Sequence, residues 1–153
     1  MTNAKLRLLE DDIIEVWERK LYRIESLEDF ANVQKGDKGG YLEKEENLAT
    51  TGDAWVFGNA RVTGNARVFG NVRVTGNARV SGNADLIAIY PIGSESGILT
   101  AFKNKEGKIS VTRGCFAGTL EEFAVAVEKT HGDNNHAKSY RIAIELIKSR
   151  LEE

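Results

Sequence analysis

Four arginines recur every six residues in the middle of this 153-residue chain, at Arg61, Arg67, Arg73 and Arg79. A guanidinium stays charged in proteins and can hold a phosphate or a carboxylate through two parallel hydrogen bonds, so this series could bind an anion. If three six-residue units complete one turn of a repeating structure, residues eighteen apart lie side by side. Arg61 then lies beside Arg79, and Arg73 lies beside Trp55.

The two predicted pairs offer different chemistry. Within the repeats no acidic residue shares a column with Arg61 and Arg79, and two like charges about 5 Å apart repel each other. The pair therefore predicts a phosphate-bearing ligand or an acidic patch of another subunit, and two solvated side chains that fan apart are the simpler alternative. Trp55 beside Arg73 suits a cation–π contact, and a tryptophan docked under a cap or a subunit is the alternative.

The C-terminal part of the chain contains its one cysteine and both histidines. A thiolate with imidazoles could form a nucleophile set or a metal site, but one cysteine with two loop histidines, His131 and His136, is a weak signal for either. The sequence therefore predicts no metal, no cofactor and no catalytic residue. Free backbone N–H groups at a predicted helix start could instead bind an anion. The candidate ligand-binding residues of this part are Gly114, Cys115, Gly118, Thr119, His131, Asp133, Asn134 and His136.

A six-residue repeat, Gly-Asn-Ala-Arg-Val-x, positions the arginines. Its glycines run from Gly52 to Gly82, and alternation within each unit places Ala and Val on one face of a short strand. Gly-Asn forms the corners, because both residues tolerate a positive φ. This period is typical of a parallel β-helix. The predicted fold is mainly β, with an N-terminal β cap (1–38), a hexapeptide-repeat β-helix (39–87) and a small C-terminal α+β domain (88–153).

Local signals predict the elements of the C-terminal domain. Thr119 and Glu122 form a capping box that begins an amphipathic helix, and Gly132 ends it. The run Asp133-Asn134-Asn135 is then expected to cap a second helix. Strands are expected at 86–90, 98–102 and 108–112, with a hairpin turn at 104–107.

The repeats resemble those of hexapeptide-repeat, left-handed β-helix proteins. A wider resemblance covers nearly the whole chain and is carried by 21–30 (LYRIESLEDF), 35–43 (KGDKGGYLE), 46–48 (ENL), 113–123 (RGCFAGTLEEF) and 130–134 (THGDN). These segments are similar to a group of uncharacterised phage and prophage proteins, the last two segments to a ββαα tail module from the same setting. The resemblance implies a phage origin and a left-handed β-helix, and it implies no particular activity.

Composition excludes several classes of protein. With 21 basic and 23 acidic residues the formal charge is −2, and the repeat arginines point in three directions, so nucleic acid is not an expected partner. No apolar run is long enough to span a membrane, and the N-terminus lacks the apolar stretch of a secretory signal. One cysteine forms no internal disulfide. We expect a protein of the bacterial host cytoplasm.

These features predict a non-enzymatic, phage-type binding protein. It would be an oligomeric scaffold, with a trimer favoured, that binds or sequesters an anionic small ligand. A cyclic nucleotide that serves as a second messenger of anti-phage defence would be such a ligand. One alternative is an inhibitor that binds a host defence protein. A further alternative is a hexapeptide-type acyltransferase, but those enzymes generally use a histidine that projects from the β-helix, and no histidine precedes His131.

Overall fold

The structure is a computed structural model that describes residues 5–114 and 116–152, without the side chain of Asn83. The chain forms two compact units, Met1–Asn83 and Ala84–Glu153. No helix among the described residues is both long enough and apolar enough to cross a membrane.

The first unit is built on a long hairpin. Strands β1 (Leu6–Val16) and β2 (Arg19–Ser26) pair antiparallel, with a bulge between Leu9 and Ile13. Strand β3 (Lys38–Leu42) pairs antiparallel with β2. The repeat contributes four strands of two residues each: β4 (Trp55–Val56), β5 (Arg61–Val62), β6 (Arg73–Val74) and β7 (Arg79–Val80).

The predicted left-handed β-helix is wrong. Strands β5 and β7 extend the hairpin into an open five-strand mixed sheet of order β1-β2-β3-β5-β7, whereas β4 and β6 form a separate two-strand parallel sheet. The repeat unit around Val68 contributes a single bridge, to Leu48. Each unit has at most two residues in a strand, and the units are too few and too short to build a continuous coil. The hairpin therefore organises the sheet, and the chain is an α+β protein.

The local content of the repeat is nevertheless as predicted. Residues eighteen apart pair in parallel, Arg61 with Arg79 and Trp55 with Arg73. The alanine and valine side chains point inward and are at most 2% exposed, from Ala54 to Val80. The apolar alternation thus fixes which face is buried, while the partner of each short strand depends on the rest of the unit.

Arg23 joins the hairpin to β3 and to the repeat. Its Nε donates to Asp12 at 2.7 Å, and its two Nη atoms donate to the backbone oxygen of Gly39 (2.9 Å), the Tyr41 hydroxyl (2.8 Å) and Asn59 Oδ1 (3.1 Å). The guanidinium also lies 4.4 Å from the centre of the Tyr41 ring. One side chain thus forms hydrogen bonds with three segments of the chain.

Lys5 makes a second connection between the hairpin and the repeat. Its Nζ donates to the backbone oxygens of Ala54 (2.7 Å) and Gly52 (3.0 Å) and lies 4.3 Å from the centre of the Phe30 ring. The side chain is fully buried, and this burial lowers the pKa of Lys5. A charge placed there is tolerated because carbonyl oxygens and an aromatic face surround it.

The second unit is a four-strand antiparallel sheet covered by two helices. The sheet order is β11-β10-β9-β8, and Leu99, Val111, Phe123 and Ile147 are among the buried residues that join the sheet to the helices. The strands are β8 (Leu86–Ile92), β9 (Gly97–Lys103), β10 (Ile109–Arg113) and β11 (Phe116–Thr119), and the helices are α1 (Leu120–His131) and α2 (Asn135–Leu151).

The capping signals of the second unit are confirmed. Thr119 and Glu122 form the capping box of α1, Gly132 ends that helix with a φ of 59°, and Asn134 caps α2. The hairpin turn between β9 and β10 is closed by Asn104, whose Oδ1 accepts from the backbone N–H groups of Glu106 and Lys108.

Replacing Arg23 by alanine should lower the free energy of unfolding of the first unit by about 2 kcal/mol or more, because acceptors on three segments, two of them in the buried residues Gly39 and Tyr41, lose a charged donor. Arg7→Ala removes only the exposed ion pair with Glu25 and should change the free energy of unfolding by less than about 1 kcal/mol. Both tryptophans, Trp17 and Trp55, lie in this unit, so urea unfolding followed by tryptophan fluorescence measures it directly. Equal losses for the two variants would contradict this role of Arg23.

Asp12 should make the first unit sensitive to acid. The Tyr41 hydroxyl, and then the Arg23 guanidinium, hold the pKa of the Asp12 carboxyl below its ordinary value. The Asp12 carboxylate therefore contributes its full stabilisation above the pKa of an aspartate in the unfolded chain, about 3.9. This stabilisation is lost as the pH falls through the lower pKa that Asp12 has in the folded state. Asp12→Asn should flatten the fall of the free energy of unfolding as the pH drops below about 4. An unchanged slope in urea titrations across that range would exclude this coupling.

Candidate functional site

A cavity of about 580 Å³ lies in the first unit, where the turn of the β1–β2 hairpin meets strands β5 and β7. Val16, Leu21 and Val80 form its aliphatic wall. The remaining lining is polar or aromatic and consists of Trp17, Arg19, Arg61, Thr63, Arg79 and Ser81. The cavity therefore combines three guanidiniums with two hydroxyls and one indole ring.

The strand pairing places Arg61 and Arg79 side by side. They are register partners on β5 and β7, and the Arg61 N–H donates to the backbone oxygen of Ala78 at 2.9 Å. Val62 and Val80 follow them and point into the core, so alternation turns both arginines to the opposite face. Neighbouring strands lie about 4.8 Å apart, which is the spacing of these two side chains at their base.

The two arginines differ in how they are held. Arg79 Nη1 donates to the backbone oxygen of Ala78 at 2.9 Å, which orients that guanidinium. Among the described residues, none forms a hydrogen bond or an ion pair with the guanidinium of Arg61. Both side chains are half-buried. Arg61 is thus a charged donor beside another cation, with all of its side-chain hydrogen-bonding capacity available.

Arg19 brings a third positive charge from the start of β2. Its Nη1 lies 3.2 Å from Glu43 Oε1, and the same carboxylate oxygen accepts from the backbone N–H of Gly64 at 2.7 Å. Glu43 thereby ties Arg19 to the corner that follows β5. No carboxylate lines the cavity within the part of the chain that the structure describes, so the cavity has a positive potential.

Trp17 occupies the first position of the two-residue hairpin turn. Its side chain is 93% exposed, the highest value among the large hydrophobic residues of the described segments, and its φ is 55°. The sequence analysis missed both Trp17 and Arg19. A tryptophan inside a charged turn is a detectable signal, because turns seldom expose a large aromatic ring.

The second predicted pair does not form a ligand site. Trp55 is 1% exposed and packs edge-on against Phe30, with ring centres 5.4 Å apart. Arg73 instead lies over the ring of Phe57 at 4.5 Å and donates to Asn32 Oδ1 at 3.2 Å. The alternative interpretation, a tryptophan docked under another segment, therefore describes Trp55 better than a ligand-facing cation–π pair.

The predicted anion site at the start of α1 is filled by the chain itself. The Thr119 N–H donates to Glu122 Oε1 at 2.8 Å, and the Glu122 N–H donates to Thr119 Oγ1 at 3.1 Å. At Gly118, an added side chain would contact the Glu122 carboxylate. Gly114 is exposed with a φ of 58°, and Cys115 lies outside the described residues. A carboxylate thus already occupies the position that a bound anion would take.

The other predicted C-terminal residues meet at the α1–α2 junction. The His131 ring stacks on Tyr140 with centres 5.7 Å apart, and the His136 ring lies 5.6 Å from that of His131. Asp133 pairs with Arg141 at 3.4 Å. Asn134 caps α2 by accepting from the Ala137 N–H at 3.0 Å. Within residues 5–114 and 116–152, no group of three or more potential ligands could hold a metal ion.

The second unit also contains a cavity, of about 470 Å³, at one face of α2. Apolar residues of β8 and α2 form most of its lining, among them Ile89, Ile142 and Leu146. His136 reaches this cavity, whereas His131 does not line it. The predicted site residues are therefore divided between the two units, and only Arg61 and Arg79 share a cavity rich in charge.

Searches with protein-family models and against curated proteins found no match to this chain. Function is therefore inferred from the geometry of the cavity in the first unit.

We expect the chain corner at Gly64, next to this cavity, to be the one that least tolerates a side chain. Its φ is 63°, and an added Cβ would collide with the backbone oxygen of Ser81. Gly76 has nearly the same φ, 64°, but open space around it. Both Gly→Ala changes bear the strain of a positive φ, about 1 kcal/mol, and only Gly64→Ala adds a backbone clash. We expect Gly64→Ala to lower the urea midpoint clearly more than Gly76→Ala does. Equal midpoints would show that this corner tolerates a side chain.

Proposed function

We propose that this protein is a non-enzymatic binding protein that holds an anionic small ligand in the arginine cavity of its first unit. The observation that carries the proposal is the convergence of Arg19, Arg61 and Arg79 on one cavity whose described lining contains no carboxylate. Hydroxyl groups of Thr63 and Ser81 supply further donors at the same place. Guanidiniums with adjacent hydroxyls are the usual protein partners of phosphate oxygens.

Electrostatics favours an occupied cavity. Two unit charges about 5 Å apart repel each other by about 1 kcal/mol in water and by about 3 kcal/mol at the effective dielectric constant of a protein surface. A bound anion replaces this repulsion by attraction to both guanidiniums. The fold does not need the arginine charges, because the neighbouring valines already supply the buried side of β5 and β7.

The ligand class follows from the donors, and the biological use follows from the resemblance to phage proteins. Phosphate offers several acceptor oxygens and up to two charges per group, which suits three cationic side chains. In a phage-type protein, binding without turnover would sequester a nucleotide messenger of the host's anti-phage defence. The homo-oligomer expected from the sequence remains a prediction, and Phe69, which is 52% exposed, is a surface that it could cover.

A second candidate function is inhibition of a host protein by direct contact. The observation in its favour is the exposure of Trp17 at the tip of the hairpin. Tryptophan is enriched among the few residues that contribute most to binding at protein interfaces. A partner with an acidic surface would contact Trp17 and Arg19 together.

The anion-binding proposal is tested by isothermal titration calorimetry with inorganic diphosphate and a panel of nucleotides that includes cyclic dinucleotides and cyclic ADP-ribose isomers. Arg61→Ala should weaken binding about tenfold or more, because a charge-assisted contact is lost. Arg67→Ala is the matched control: Arg67 holds the same repeat position, is exposed and does not line the cavity, so affinity should not change. Absence of binding across the whole panel would exclude the proposed function.

A further inference from the structure

We infer, on the basis of that proposed function, that the ligand is a nucleotide with two phosphate groups whose base stacks on Trp17. The proposed function requires only an anion. The lining of the cavity is more specific, because a planar aromatic ring stands beside the cationic side chains.

Trp17 has no structural role that explains its position. The turn between Val16 and Arg19 has two residues, and a positive φ at its first position is normally supplied by glycine. A tryptophan there is conformationally unfavourable, and at 93% exposure its ring gains almost nothing from packing. A bulky residue kept in a strained and exposed position suggests a role in binding.

The position of Trp17 relative to the arginines indicates a nucleotide as the class of ligand. The ring precedes Arg19 by two residues and lines the same cavity as Arg61 and Arg79. Nucleotides combine a flat base with phosphates, and every base can stack on an aromatic side chain. A volume of about 580 Å³ lies within the range of cavities that bind small molecules and cofactors.

The spacing of the arginines favours two phosphate groups over one. Three guanidiniums line the cavity, and Glu43 offsets part of the charge of Arg19. Arg61 and Arg79 are held about one strand spacing apart, so each can contact a separate phosphate. A terminal diphosphate and a pair of phosphodiesters both supply this chemistry.

The test titrates the full chain with inorganic diphosphate, AMP, ADP and cyclic di-AMP, by calorimetry and by quenching of tryptophan fluorescence. ADP or cyclic di-AMP should bind roughly tenfold or more tightly than diphosphate, because the base adds stacking. The tighter-binding of these two nucleotides should also bind about tenfold more tightly than AMP. Whichever of the two binds more tightly identifies a terminal diphosphate or two phosphodiesters as the source of the phosphates.

Variants at Trp17 separate this inference from the proposed function. Trp17→Ala should reduce the affinity for the preferred nucleotide to that for diphosphate and leave diphosphate binding unchanged, whereas Trp17→Phe should retain most of the gain. Tyr90→Ala, which removes an exposed aromatic ring outside the cavity, is the control and should have no effect. If diphosphate binds as tightly as every nucleotide, or if Trp17→Ala leaves nucleotide binding intact, this inference fails while the anion site stands. If diphosphate and all nucleotides fail to bind, the proposed function itself fails.

Discussion

The guanidinium of Arg23 is the contact on which the first unit depends. It connects a carboxylate on β1, a carbonyl and a hydroxyl on β3, and the amide of Asn59 at a corner of the repeat. Parallel strands of two residues form too few backbone hydrogen bonds to fix their own position. A polar side chain that contacts several segments adds the hydrogen bonds that hold them together. The cavity also depends on Arg23, because its lining comes partly from the hairpin and partly from the repeat, which Arg23 connects.

The arginines of the first unit differ in how fully the fold satisfies them. Arg23 has a carboxylate, a phenol and carbonyl groups around it, and the same contacts lower the pKa of Asp12. Arg7 and Arg19 each pair with one glutamate. Arg61 has no such partner among the described residues and faces a cavity beside Arg79. A charge that is half-buried, next to a like charge and unnecessary for packing is the kind of residue that a binding function retains.

The sequence predicts the local features well and the long-range ones poorly. The alternation of the repeat predicts the buried alanines and valines and the eighteen-residue register of Arg61 with Arg79, and the capping box predicts the start of α1. The period does not reveal that β5 and β7 join an antiparallel hairpin, because that pairing depends on β2 and β3, far away in sequence. For the same reason Trp17 and Arg19 are missed as site residues. The burial of Trp55 is predicted only as one of two alternatives, since its cover, Phe30, lies twenty-five residues away.

The two predicted anion sites contrast in a way that explains why only one is supported. At the start of α1 the partial positive charge of the helix is matched by Glu122, which is covalently fixed three residues from Thr119 and so acts at very high effective concentration. An external anion would have to displace that carboxylate. Beside the arginine cavity, Glu43 is already shared between Arg19 and the Gly64 N–H and does not line the space. The guanidinium of Arg61 therefore remains available to an external anion, and no carboxylate among the described lining residues competes for it.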